Sequence, residues 1–135
     1  MRQIASAFVI FIAACALHVA ALAEEKELKH DSTDLKEIKK QIEDGKAELV
    51  DCREQDEWDE GHLRDARFLP LSKAEKSQIP AEIPKDKPVY VHCMVGARAL
   101  TVAKILVKLG YDARAIKAGP DELKEAGFKE ALKAK

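Results

Sequence analysis

The stretch Val89-Tyr90-Val91-His92-Cys93-Met94-Val95-Gly96-Ala97-Arg98 decides how this chain folds. Three apolar or aromatic residues after Pro88 read as a short buried strand. Cys93 follows at the strand's end. A loop with one glycine then closes on Arg98. From Ala99 to Leu109 the apolar residues fall at Val102, Ile105, Leu106 and Leu109, which is helical spacing. A strand, a tight loop and a helix start turn the loop's backbone N–H groups inward at the helix's positive end. A sulfur at the mouth of that ring has its pKa lowered and is held as a thiolate. Cys93 is therefore the candidate nucleophile. Met94, Val95, Gly96, Ala97 and Arg98 form the candidate anion-binding loop around it.

Outward from this stretch, strands alternate with helices. Asp34 and Glu37 have the spacing of a capping box, Leu35, Ile38 and Ile42 make one apolar stripe, and Gly45 can end that helix. Glu48 to Asp51 reads as a strand that Cys52 and Arg53 continue or leave. Asp56 to Glu60 is a helical turn closed by Gly61, and Ala66 to Leu69 is a second strand stopped by Pro70. Ser72 is expected to cap a helix over Lys73–Gln78. Asp112 to Lys117 alternates as a strand, and Gly119-Pro120-Asp121 opens one or two terminal helices. The class is α/β with a mostly parallel sheet. Ligands of such sheets bind at the carboxyl ends of the strands, where Cys93 and the Asp51-Cys52-Arg53 segment both lie.

Composition narrows the function. The 135 residues carry a net charge of −1 and no basic block stands out, which argues against nucleic acid. Met1-Arg2-Gln3, an apolar run from Ile4 and the small residues Ala21-Leu22-Ala23 predict a signal peptide over 1–23, cleaved after Ala23. The product is expected to be periplasmic or secreted, without stable membrane association. An uncleaved anchor and a lipoprotein box at Ile12-Ala13-Ala14-Cys15 are the competing readings. Residues 24–31, charged and poor in apolar side chains, are expected to be a flexible lead-in. Cleavage leaves Cys52 and Cys93 as the only cysteines, too few for a disulfide scaffold. Neither lies in C-x-x-C spacing and the histidines are scattered, so no metal site is expected.

Leu49-Val50-Asp51-Cys52-Arg53, then Glu57-Trp58, Gly61-His62-Leu63, Ala66 and Leu69-Pro70, resembles the rhodanese signature. Val89 to Arg98 resembles the rhodanese active-site loop in its C-x-x-G-x-R form. The similarity runs from about Ser32 to Phe128, and 32–135 is taken as one rhodanese-like domain. The resemblance implies a three-layer α/β/α fold and a sulfurtransferase needing no cofactor. Cys93 would take a sulfane sulfur from a donor such as thiosulfate, carry it as a persulfide and pass it to a thiol or cyanide acceptor. Arg98 would add fixed positive charge, or brace the loop by bonding its carbonyls. A non-catalytic binding or sulfur-carrier module on the same fold is the alternative from another class.

A cysteine phosphatase is the other relative. Its loop places five residues between cysteine and arginine, whereas Cys93 and Arg98 enclose four. The smaller ring suits one sulfur atom better than a tetrahedral phosphate. Met94 and Val95 are apolar where many rhodaneses place polar or basic groups, which weakens attraction for a dianion. Asp51 and Arg53 are read as supporting residues that hold the strand ends, and Glu57 and His62 likewise. Trp58 is expected in the core, and His92 as a buried, hydrogen-bonded ring rather than a base. Cys52 is read as inert core, with a redox partnership to Cys93 as the open second reading.

Overall fold

The computed structural model describes residues 26–133. The expected signal peptide, its cleavage point and Cys15 lie outside the described residues. Nine elements follow in order: α1 (Leu35–Glu43), β1 (Glu48–Asp51), α2 (Gln55–Glu60), β2 (Ala66–Phe68), α3 (Leu71–Ala74), β3 (Val89–His92), α4 (Ala97–Lys108), β4 (Ala113–Ala115) and α5 (Pro120–Glu125). The four strands form one all-parallel sheet in the order β2-β1-β3-β4. The β1–β3 pair runs in the register Leu49↔Tyr90, Val50↔Val91 and Asp51↔His92.

That register, with the period of two in a strand, sorts the side chains into two cores. Leu49 and Tyr90 pack with Ile38 of α1 and Leu123 of α5 on one face. Val50, Val89 and Val91 pack on the other with Ala74 of α3 and with Ala99, Val102, Ala103 and Leu106 of α4. Helices therefore cover both faces, which is the three-layer α/β/α arrangement expected. The strands of the central pair are almost wholly buried, as a parallel sheet covered on both sides requires.

Local chemistry explains most boundaries. The Asp34 carboxylate caps α1 by accepting from the N–H groups of Lys36 and Glu37 at 2.9 and 3.3 Å. Ser72 does not cap a helix over 73–78. Pro70 stands at the cap of α3 instead, with φ −63°, and the helix begins at Leu71. The Ser72 hydroxyl is drawn to the Glu54 carboxylate at 2.8 Å, across 18 residues of sequence. Trp58 is only half-buried and belongs to neither core. It stacks on His62 with ring centroids 3.6 Å apart and tilts against Phe68 at 4.8 Å. The reason is that α2 is short and carries no buried residue, so its aromatic ring is covered from the side by its own turn.

Residues 26–31, expected to be a loose lead-in, are docked on the domain. Leu28 packs against the α3/α4 core, the Asp31 N–H donates to the Ala115 carbonyl at 2.7 Å, and His30 Nε2–H donates to the Gly96 carbonyl at 2.9 Å. Among the described residues no helix is long and apolar enough to cross a membrane.

Candidate active site

Cys93 sits at the carboxyl end of β3, where the strand stops and α4 has not yet begun. The turn between them works because Gly96 adopts φ +92°, in the left-handed region that costs a residue with a Cβ about 1–2 kcal/mol. Space demands glycine there as well. A Cβ on Gly96 would lie 2.6 Å from His30 Nε2 and 3.0 Å from the Lys117 backbone. Gly119 is held by space alone, since its Cβ would lie 2.3 Å from the Met94 carbonyl oxygen. The loop is thus walled by the lead-in on one side and by the β4–α5 connection on the other.

No side chain caps α4. Its orphan N–H groups turn to sulfur instead. The Gly96 N–H donates to Cys93 Sγ at 3.1 Å, and the Val95 and Ala99 N–H groups also stabilise its charge. Cys52 lies beside Cys93 and its thiol is the largest single influence, donating a hydrogen bond to the thiolate. Burial opposes these donors, and the net effect pulls the Cys93 thiol from 9.0 down to about 4. The same contact, with burial, pushes the Cys52 thiol far up, so it remains the proton carrier of the pair. Both thiols are free and buried.

Among the described residues Arg98 is paired with a carboxylate rather than with the loop's carbonyls. Its guanidinium forms a two-pronged pair with Glu57, Nη1 to Oε2 at 2.6 Å and Nη2 to Oε1 at 2.8 Å. Glu57 Oε2 also accepts the Glu54 N–H at 2.9 Å. The Arg98 hydrogen bonds, aided by the Glu54 N–H, hold the Glu57 carboxyl down at about 2 against a modest burial penalty. Arg98 is held firmly charged by Glu57, and the negative charge of Cys93 adds to this. Glu57 is thus part of the site's charge balance, beyond the fold-holding place expected of it.

Asp51 and Arg53 lie at the same sheet end but serve the scaffold. Arg53 Nη2 donates to Asp51 Oδ2 at 2.8 Å and to the Gly61 carbonyl at 2.8 Å, and the Arg53 N–H returns to Asp51 Oδ1 at 3.0 Å. The Asp51 side chain is fully buried and that of Arg53 nearly so. His92 is fully buried, as expected. Its Nδ1–H donates to the Cys93 carbonyl at 3.3 Å, and burial lowers its pKa, keeping the ring neutral. Its Nε2 lies 3.7 Å from Asp51 Oδ2 without a hydrogen bond. The structure therefore brings together Cys93, Val95, Gly96, Ala99 and Cys52 around one sulfur, and sets Asp51, Arg53 and His92 behind it. Met94 and Val95 carry their side chains outward, the latter 73% exposed.

The family model for the Rhodanese-like domain matches residues 34–126. The chain belongs to that family. Among its relatives, the rhodanese-like domain is 42% identical over 65 residues to a Bacillus subtilis protein, uncharacterized protein YqhL, and 35% identical over 63 residues to thiosulfate sulfurtransferase GlpE of Coxiella burnetii. These alignments take in 48% and 47% of this chain and 50% and 57% of the relatives, so the match spans about half the length of each. Among solved structures, the human single-domain sulfurtransferase TSTD1 superposes with a TM-score of 0.59 at 27% identity, covering 66% of this chain and 90% of that one.

Proposed function

We propose that this rhodanese-like domain is a sulfurtransferase that moves a sulfane sulfur from a donor such as thiosulfate to a thiol or cyanide acceptor through a persulfide on Cys93. The observation that carries the reading is the Cys93 sulfur, favoured as thiolate by the Cys52 thiol beside it, by the Gly96 N–H at 3.1 Å and by that amide's neighbours on the loop. A thiolate attacks the outer sulfur of the donor, the remainder departs with the bonding pair, and Cys93 keeps one added sulfur. The persulfide's terminal sulfur is itself an anion, and the converging loop amides suit it. Removing one such donor from a preorganised cradle costs about 3 kcal/mol in rate.

Arg98 shapes the choice of donor. Its fork is already filled by Glu57, so it supplies a neutralised pair rather than an open clamp for a dianion. Met94 and Val95 present apolar surface at the mouth. A donor with a single charge on its sulfur chain, such as a thiol persulfide, fits this rim better than thiosulfate does. The test is the intact mass of the purified protein after incubation with thiosulfate, polysulfide or a low-molecular-weight persulfide. One added sulfur, absent in Cys93→Ser, together with thiocyanate formation when cyanide follows, is the expected result. An unmodified mass with every donor rejects the reading. We further propose export, with processing after Ala23; N-terminal sequencing of the protein recovered outside the cytoplasm tests it.

A further inference from the structure

Cys52 and Cys93 occupy matching positions one step beyond the registered pair Asp51↔His92, and the Cys52 N–H continues the ladder by donating to the His92 carbonyl at 3.0 Å. Neighbouring strands of a sheet lie about 4.8 Å apart. Disulfides join Cα atoms roughly 4.4–6.8 Å apart. Both side chains turn to the same face, into the core formed with α3 and α4. The two cysteines are therefore neighbours on one face, at a strand spacing that falls within the Cα range a disulfide spans. Cys52 is fully buried, on β1's side of Cys93, whereas the Gly96 amide meets the Cys93 sulfur from the loop before α4.

We propose that Cys52 is a resolving cysteine, which displaces the sulfur carried by Cys93 as hydrosulfide and closes a Cys52–Cys93 disulfide. The inference rests on the sulfurtransferase reading, because it needs a loaded Cys93. In the unloaded site Cys52 donates its proton to the Cys93 thiolate. Loading moves the negative charge one sulfur outward, onto the added sulfur. The Cys52 sulfur then faces a Cys93 sulfur that is no longer an anion but one end of a sulfur–sulfur bond. Cys52 attacks it, the bond between Cys93 and the outer sulfur breaks, and that sulfur leaves with the electron pair. The Cys52 proton goes to the departing sulfur as HS⁻. The outer sulfur is reduced to sulfide while the two cysteine sulfurs are oxidised to the disulfide, so no outside oxidant takes part. A dithiol, small or protein-borne, reopens the disulfide by exchange and completes the cycle. The chain would then be a dithiol-dependent reductase of sulfane sulfur, its product hydrosulfide.

The experiment follows one turnover of the whole purified chain, reduced, freed of reductant and given one equivalent of inorganic polysulfide without air. Intact mass and released hydrosulfide are read against time. The wild type is expected to gain one sulfur, then to lose it and two hydrogens, releasing close to one hydrosulfide per chain. The second phase is first order and independent of protein concentration, and dithiothreitol restores the starting mass. Cys52→Ala and Cys52→Ser are expected to keep the added sulfur, with hydrosulfide release at least about tenfold slower. A wild type that holds its added sulfur as long as either variant overturns the resolving role and leaves the sulfurtransferase reading standing. Failure of all three proteins to gain sulfur, with no hydrosulfide, overturns both. Because the wild-type mass alone shows whether the disulfide forms, poor folding of a variant does not blunt the test.

Discussion

The sharpest prediction concerns the acidity of Cys93 when Cys52 is replaced by alanine. Drawing a thiol from 9.0 to about 4 is a preference for the thiolate of roughly 7 kcal/mol. Four donors contribute to it, the Cys52 thiol and the N–H groups of Ala99, Val95 and Gly96. Hydrogen bonds to a charged group are worth about 1.5–3 kcal/mol each, so the set reaches the required size after burial takes its share. Removing the Cys52 thiol takes away the largest of them. The midpoint should rise by about 1–2 pH units, to between about 5 and 6, and should stop well short of 9 because the three amides remain. Iodoacetamide is neutral, so its rate of reaction tracks the thiolate fraction without electrostatic bias. Alkylation of Cys93 from pH 3 to 10, read by intact mass, should give a wild-type midpoint near 4 and the raised midpoint in Cys52→Ala. A wild-type midpoint of 8 or above would refute the amide cradle. An unmoved midpoint in the variant would refute Cys52 as its leading donor.

Other consequences follow from the same geometry. Unfolding stability should rise with pH between about 4 and 9 from Cys93 alone, since the unfolded thiol holds a proton there that the native one has lost; the gap between wild type and Cys93→Ser in urea melts should widen from pH 5 to pH 8, and a constant gap contradicts the thiolate. Asp51→Asn leaves Arg53 buried without its counter-ion and should cost about 3–5 kcal/mol, a fall in Tm on the order of 15 °C, whereas a loss below 1 kcal/mol would show the pair to be dispensable. Gly96→Ala meets both a left-handed φ and the Lys117 backbone, so about 2–4 kcal/mol of strain should distort the loop; pairing it with His30→Ala should not restore Cys93 reactivity, and full recovery would mean that His30 is the sole obstruction. Val95→Lys places a cation at an exposed position, worth about 1 kcal/mol toward a dianion; KM for thiosulfate should fall roughly fivefold with little change in kcat, and an unchanged KM would place the donor away from this rim.

The fold was legible because its signals are local. The apolar run Val89-Tyr90-Val91, the helical spacing after Ala99 and the carboxylate cap at Asp34 are all set within a few residues, and each appears where expected. The turn that joins β3 to α4 around Cys93 was legible for the same reason. What the sequence concealed depends on contacts across long separations. Glu57 meets Arg98 over 41 residues and His30 meets Gly96 over 66. Opposite charge and a lone imidazole do not announce a partner at such distances. Ser72 was misread because its affinity for a helix cap lost to the carboxylate of Glu54, which the β1–α2 connection brings alongside. Trp58 was misread because size suggests a core residue, yet a two-turn helix with no buried face has no core to offer it.

The docked segment before α1 bears on what counts as the minimal functional unit. Residue 34, where the family match starts, lies beyond both Asp31 and His30. A polypeptide trimmed to that boundary would keep every described strand and helix, and Cys93 with them. It would lose the imidazole bolted to the Gly96 carbonyl, and it would bare the outer rim of β4, the last strand in the sheet. Shortening this protein to its family outline would thus loosen the turn around Cys93 and open a sticky border for self-association.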